Sequence, residues 1–259
     1  MSEEAAADEP SGEATEGRPR VGVVGSDDAA LVASVEAAGG EAIRAASVDE
    51  RGFGADLDAV VAVGERALLS LAPTPPAPIL PVAVDAPLGV APGSAGAAVE
   101  RVVAGTARTV DAPVVGVAHA GGETHALLDV TLVTASPARI SEYSVESEGR
   151  TIARFRADGV VVATPLGSRG YARAAGAPEL APGSGVAAVA PISPFAIDPD
   201  RWVLPLGTLT LRVERDEAAV DLLADDRREG PVAPNDPVRI RPTGTLQVFV
   251  TEGRGLERH

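Results

Sequence analysis

The pattern of apolar residues changes near Pro113, and this change most constrains the fold. Before it, short apolar runs such as residues 21–25 and 58–63 alternate with segments of helical character such as residues 65–71. Alternation of this kind is typical of a parallel sheet with helices on both faces. After it, β-rich runs follow one another, separated by Gly, Pro or Asp, and only residues 168–175 have a helical pattern. The predicted fold is therefore a doubly wound N-terminal α/β domain followed by a β-rich, β-sandwich-like C-terminal domain.

The same pattern divides the chain into four parts. Residues 1–20 hold six acids and two Arg without apolar periodicity, which predicts a disordered acidic tail. We place the α/β domain at 21–112, the β-rich domain at 113–240, and a segment that returns to the first domain at 241–259. Within the β-rich part, residues 125–134 are predicted to form one strand.

Composition excludes several kinds of chemistry. All 22 bases are Arg, against 37 acids, so the net charge is −15, and there is no Cys. Without Cys or Lys there can be no disulfide framework, thiol chemistry, Schiff-base lysine or Walker-type phosphate lysine. The acidity argues against nucleic acid as a partner, and apolar runs are too short to span a membrane. We expect a cytoplasmic protein, and the acidic, Lys-free composition favours a halophilic source.

Two charged features are interpreted as structural. The three His residues lack the spacing of metal ligands, so we predict no protein-held metal. The run Asp225-Asp-Arg-Arg-Glu229 is predicted to be an exposed charged turn rather than a carboxylate site.

The most informative segment is Asp158-Gly-Val-Val-Val-Ala-Thr-Pro-Leu-Gly-Ser-Arg-Gly-Tyr171. A buried strand is predicted at 160–164, followed by a Pro and Gly turn and a helix that begins near Ser168. This arrangement would bring Thr164, the Gly167 backbone and the Ser168 hydroxyl to one helix N-terminus, where they could bind phosphate or ribose. Tyr171 would lie about one turn into that helix.

This segment resembles the D-G-x-x-x-S/T-T-P-T-G-S-T-A-Y motif of the NAD kinase family. Further similarities follow in order: Ala126-Leu-Leu-Asp-Val130 is similar to A-L-N-E-V, Pro191-Ile-Ser-Pro-Phe195 to P-I-C/S-P-H, and Val203-Leu-Pro205 to V-L-P. The resemblance implies the family's two-domain layout. It also implies the family's reaction, phosphorylation of the adenosine ribose 2′-hydroxyl of NAD(H) to give NADP(H).

The resemblance fails at the family's G-G-D-G-T signature, whose place is taken by Val63-Gly-Glu-Arg-Ala67. Glu65 keeps a carboxylate with one more methylene, and it is the candidate catalytic acid. Gly64 and Arg66 are candidate phosphate contacts, and the guanidinium of Arg66 would either clash with phosphate or hold it.

The remaining candidate residues are also implied by the resemblance. Asp129 stands where the family has Glu, and Arg169 replaces a Thr. The implied ligands are NAD, ATP or polyphosphate as phosphate donor, and Mg²⁺ on the donor phosphates, in a protein that is expected to form a homo-oligomer. The alternative is a catalytically impaired member that binds a dinucleotide or another phosphorylated ligand as a sensor or partner subunit. The candidate dinucleotide contacts are Asp129, Asp158, Gly159, Thr164, Gly167, Ser168, Arg169 and Tyr171.

Overall fold

The computed structural model describes residues 17–26, 29–45, 56–136, 139–196 and 199–250. Most of the predicted tail and the end of the predicted returning segment lie outside these ranges. No helix in the described residues is long and apolar enough to cross a bilayer.

The N-terminal half alternates strands and helices as predicted. It contains β1 (Arg20–Gly25), α1 (Ala29–Ala37), β2 (Glu41–Ala45), β3 (Ala59–Val63), α2 (Glu65–Leu71), β4 (Ile79–Val82) and α3 (Ala95–Val103), with a short 3₁₀ turn at Pro92–Ser94.

The remainder is almost entirely strand. It contains β5 (Arg108–His119), β6 (Gly122–Ala126), β7 (Asp129–Thr134), β8 (Ser141–Ser147), β9 (Arg150–Ala157), β10 (Gly159–Ala163), α4 (Tyr171–Ala174), β11 (Val186–Ile192), β12 (Trp202–Pro205), β13 (Leu209–Arg215), β14 (Val220–Ala224), β15 (Arg227–Val232) and β16 (Val238–Val250).

A ten-stranded sheet, here called sheet A, runs through both halves of the chain. Its main path is β2-β1-β3-β4-β16-β13-β8-β9, with β5 and β6 paired beyond β16. Strands β1 to β4 are parallel, and β1, β3 and β4 are largely buried because helices cover them on both faces. Helices α1 and α3 share one cluster with β1 and β3, and α2 packs into another cluster on the opposite face.

The second sheet, sheet B, has six antiparallel strands in the order β12-β11-β10-β7-β14-β15. Sheets A and B pack together over a core that includes Tyr143, Val160, Leu211 and Ile240. The fold is therefore the predicted doubly wound α/β layer joined to a β-sandwich.

Strand β16 joins the two halves. Its residue Val248 pairs with Ile79 of β4, while its first part pairs with β13. The predicted domain boundaries stay a prediction. Strand β5 runs across the boundary that was predicted between residues 112 and 113.

Two local predictions are wrong. The single strand expected at residues 125–134 is interrupted at Leu127 and Leu128, which lie between β6 and β7. The helix expected from Ser168 begins only at Tyr171 and is four residues long, because residues 165–170 form turns instead.

Candidate active site

A cleft of about 330 Å³ lies where α2, the loop after β4, the start of β7, the turn after β10 and the β14–β15 turn meet. Both halves of the chain contribute to its walls. Its lining consists of Glu65, Asp85, Leu128, Asp129, Thr131, Val133, Gly167, Gly170, Tyr171, Leu223, Asp225 and Asp226.

Glu65 enters this cleft from the first residue of α2. The preceding Gly64 has φ of 85°, a left-handed backbone conformation that glycine adopts without strain, and its N–H donates to the Val82 carbonyl at 2.8 Å. This turn places Glu65 beside the end of β4. Partial burial and then the charges of Asp226, Asp225 and Asp85 raise the pKa of Glu65.

Asp129 faces the cleft from the first residue of β7. Burial, together with the nearby charges of Asp225 and Glu65, raises its pKa from 3.8 to about 7. A hydrogen bond from the Thr131 hydroxyl at 3.2 Å acts in the opposite direction. Asp129 therefore exchanges a proton near neutral pH, which is the range in which a carboxylate serves as a general base or acid.

Asp225 corrects the interpretation of residues 225–229 as an exposed charged turn. It is half-buried, lines the cleft, and accepts backbone hydrogen bonds from Leu127, Leu128 and Asp129. Burial raises its pKa against the opposing effect of these hydrogen bonds and of Arg227. The run of charged residues suggested solvent, but its first carboxylate points inward because three N–H groups need an acceptor.

Sequence reasoning also missed Asp85 and Asp226. Asp85 follows β4, and the carboxyl ends of parallel strands are where open α/β sheets bind ligands. That position is a signal that could have found it. Asp226 could have been found only through its neighbour in the turn.

The turn after β10 forms another wall, but its hydroxyls are used inside the protein. The Thr164 hydroxyl donates to the Leu127 carbonyl at 2.6 Å. The Ser168 hydroxyl donates to Pro165 O at 2.8 Å and accepts from the Leu180 N–H at 2.9 Å, and Ser168 is fully buried. The sequence led us to expect ligand contacts for these two hydroxyls. Because α4 begins only at Tyr171, the hydroxyls instead form hydrogen bonds with backbone groups of the protein.

The two arginines of interest have different surroundings. Arg169 Nη2 lies 3.0 Å from the Glu179 carboxylate, and its Nη1 lies 3.4 Å from the Ala86 carbonyl oxygen. Arg66 is exposed on α2 and makes no hydrogen bond or ion pair with the described part of the chain. Neither side chain lines the cleft, although Arg66 follows Glu65 directly.

The other predicted residues divide between the cleft and the sheet. Tyr171, 48% exposed, and Gly167 line the cleft with Glu65 and Asp129. Asp158 and Gly159 lie at the opposite end of β10 from this turn, and they belong to the sheet. There Asp158 O accepts from the Tyr143 hydroxyl, and a Cβ at Gly159 would meet the Leu132 carbonyl at 2.4 Å.

The cleft has many carboxylates but is not arranged as a protein-held metal site. Within the described ranges, no group of three or more His, Cys, Asp or Glu side chains could hold a metal ion.

The β-rich part of the chain matches a known protein family. Residues 127–251 match the ATP-NAD kinase C-terminal domain. This part of the chain belongs to the NAD kinase family. The match begins at Leu127, so it includes Asp129, the turn after β10 and Asp225.

Individual NAD kinases align over the same region. The chain is 30% identical to the NAD kinase of Methanosarcina acetivorans over 123 residues, which are 47% of this chain and 45% of the relative. It is 35% identical to the NAD kinase of Symbiobacterium thermophilum over 116 residues, 44% of this chain and 41% of the relative. The chain thus spans less than half the length of these curated relatives.

Solved structures extend the similarity of fold to the N-terminal half. Yeast NADH kinase complexed with NADH superimposes with a TM-score of 0.72 at 15% identity, covering 90% of this chain and 83% of that one. NAD kinase from Archaeoglobus fulgidus in complex with ATP gives a TM-score of 0.71 at 21% identity, covering 90% and 94%. The NAD kinase fold therefore includes the half of this chain that carries Glu65.

Proposed function

We propose that this protein is an NAD kinase that transfers phosphate to the adenosine ribose 2′-hydroxyl of NAD or NADH. One observation carries the proposal. Glu65, from the α/β layer, and Asp129, from the family-matched β-rich layer, line the same cleft although 63 residues separate them in the sequence. A hydroxyl placed between two such carboxylates is held for attack on a phosphate.

The chemistry assigned to the two carboxylates is proton acceptance and orientation. The 2′-oxygen forms a bond to the terminal phosphorus of the donor, the bond from that phosphorus to the bridging oxygen breaks, and the hydroxyl proton passes to a carboxylate. Glu65 accepts the hydrogen bond from the hydroxyl and takes this proton. Asp129 orients the ribose, and its pKa of about 7 lets it exchange a proton at working pH.

The cleft wall supplies the surface for the dinucleotide. Tyr171 offers an exposed ring for stacking, and the Gly167 backbone comes close without a side chain. Because the cleft residues are acidic, the phosphate donor must bring its own countercharge. Arg66 follows Glu65, is exposed, and makes no hydrogen bond or ion pair with the described residues, so we assign it to the donor phosphates.

We assign ATP or polyphosphate as the donor, with Mg²⁺ bound to its phosphates. Mg²⁺ would neutralise charge on the transferred group, and it prefers phosphate oxygens and water to an all-protein cage. This preference agrees with a cleft whose carboxylates do not form a metal-binding group.

The proposal also includes the cellular environment and the oligomeric state. A chain with net charge −15 and no Lys fits a cytoplasm of high ionic strength, where screening reduces self-repulsion. We also propose a homo-oligomer, which equilibrium sedimentation in high salt would test.

The test is formation of NADP by purified protein with NAD, ATP and Mg²⁺ in high salt, measured by a coupled dehydrogenase. Glu65→Gln should lower kcat at least about 100-fold, because the amide cannot take the proton. Glu100→Gln, an exposed Glu-to-Gln change on α3, is the matched control and should retain activity.

Two results would contradict the proposal. If Glu65→Gln had wild-type activity, Glu65 would not be the group that accepts the hydroxyl proton. Saturable NAD binding without any turnover, over a series of donors and salts, would instead support the ligand-binding alternative.

A further inference from the structure

The strongest unexplained contact around the cleft is made by Asp225. Its Oδ1 accepts from three consecutive backbone N–H groups, those of Leu127 (3.1 Å), Leu128 (2.7 Å) and Asp129 (3.2 Å), and its Oδ2 also accepts from Leu127 at 3.0 Å. The contact is reciprocal, because the Asp225 N–H donates to the Asp129 carbonyl at 2.9 Å. These atoms join segments that are about 100 residues apart in the sequence.

The contact falls where sheet pairing is interrupted. Leu127 and Leu128 lie between β6 and β7, so their N–H groups are outside the strand ladders. Both side chains are buried, and an unpaired N–H in such a place is costly. A single carboxylate therefore accepts from both N–H groups of the break and from that of Asp129, the first residue of β7. The Leu127 and Leu128 carbonyls accept instead from the hydroxyl and the N–H of Thr164.

The Asp225 backbone adopts a constrained conformation to make this contact. Its φ is +54°, in the left-handed region that Asp and Asn tolerate better than most residues. Such conformations persist where the surroundings hold them, and they are frequent at functional sites. Here the surroundings are the three N–H donors.

We propose that Asp225 is the positioning residue of the cleft: its carboxylate holds the backbone of residues 127–129 and so fixes the Asp129 carboxyl for the reaction. The inference rests on the proposed function for its kinetic consequences. Its structural consequences can be measured without turnover.

Other charged groups also face Asp225, and they enter any pH dependence. Glu65 and Asp226 are acidic neighbours, the charge of Arg227 lowers the pKa of Asp225, and His125 of β6 is close enough for its own pKa to respond to Asp225. The test must therefore follow the titration of Asp129 itself rather than total proton uptake.

The experiment compares Asp225→Asn with Asp225→Gly. Asn accepts the left-handed backbone and keeps one acceptor oxygen, so it removes mainly the negative charge. Glycine also accepts the backbone but removes the side chain. We expect the titration midpoint of the Asp129 carboxyl carbon, followed by NMR in ligand-free protein, to fall in Asp225→Asn.

For Asp225→Gly we expect the amide signals of residues 127–129 to shift and kcat to fall about 10- to 100-fold, more than KM changes, because misplacement by about 1 Å has effects of this size. Asp225→Asn should retain more of kcat than Asp225→Gly. Asp111→Asn, an exposed Asp on β5, is the matched charge-removal control and should reproduce the wild-type titration and amide signals.

The proposal is overturned if the amide signals of 127–129 and the Asp129 midpoint match the wild type in both variants. Should Asp225→Gly fail to fold, the amide signals of residues 127–129 in Asp225→Asn decide, because they report on the hydrogen bonds to the side chain. If the wild type forms no NADP, the proposed function fails, whereas the NMR measurements still decide whether Asp225 positions Asp129.

Discussion

The backbone of Gly167 packs against the carbonyl of Leu128 so closely that no side chain fits between them. A Cβ built on Gly167 would lie 2.1 Å from the Leu128 oxygen and 2.4 Å from its carbonyl carbon. Two walls of the cleft thus touch backbone to backbone, at the residues that precede Asp129 and follow β10.

The first prediction is that Gly167→Ala destabilises the protein. The inserted methyl group meets backbone atoms that cannot rotate away, so one wall must shift, at a cost of about 1–3 kcal/mol in the free energy of unfolding. Gly96→Ala on α3 is the control, because the nearest atom to its added methyl group would be 3.6 Å away. Denaturant unfolding of the two variants checks this, and equal stabilities would contradict it.

The second prediction concerns Asp129 and pH. Folding raises the pKa of this group from 3.8 to about 7, so the folded state binds its proton more tightly than the unfolded state does. The contribution of Asp129 to stability is therefore lost as pH rises from about 4 to about 7 and stays lost above that range. Asp129→Asn should be more stable than wild type at pH 8, by up to about 4 kcal/mol, and this advantage should vanish near pH 4.

Urea unfolding at several pH values measures that difference. The Asp111→Asn variant controls for the loss of one negative charge elsewhere. A stability difference between Asp129→Asn and wild type that does not change with pH would show that Asp129 does not hold its proton in the folded state.

The third prediction is that Ser168→Ala acts on stability before it acts on ligand binding. The substitution leaves the Leu180 N–H and the Pro165 carbonyl without their side-chain partner in a fully buried place, which costs about 1–3 kcal/mol. At a temperature where both proteins are folded, the Kd for NAD measured by calorimetry should change less than threefold. A large loss of affinity without loss of stability would instead make Ser168 a ligand contact.

The fourth prediction concerns Arg169, which stands where the family has Thr. Because its guanidinium is engaged by Glu179 and the Ala86 carbonyl, Arg169→Ala and Glu179→Ala should be less than additive in stability. A double-mutant cycle should give a coupling of about 0.5–1 kcal/mol that decreases in high salt. Full additivity would mean that the pair contributes nothing.

Local sequence patterns predicted the elements that local interactions determine. The bounds of α2 agree with the expected helical segment 65–71, because the apolar periodicity lies within the segment and a glycine directly precedes it. The fold class followed from the order of such segments. Several small motifs in the right order also led to the family.

The site was predicted less well because distant residues determine it. Leu127 and Leu128 have the apolar character of a strand, but their N–H groups bind a carboxylate about 100 residues later in the chain, which no local pattern shows. Ser168 likewise follows a Pro and Gly turn that suits a helix start, but its hydroxyl is used by Leu180. Of the predicted contacts, Glu65, Asp129, Gly167 and Tyr171 line the cleft, and their assigned roles stay predictions.

Strand β16 has a mechanical consequence. Clefts between two lobes commonly open by rotation about a flexible linker. Here both walls of the cleft are attached to sheet A, in which β4, β16 and β13 are adjacent strands. Rotating the lobes apart would tear backbone hydrogen bonds rather than bend a hinge. The two walls of the cleft therefore keep a fixed position relative to each other, and the sheet is their rigid frame.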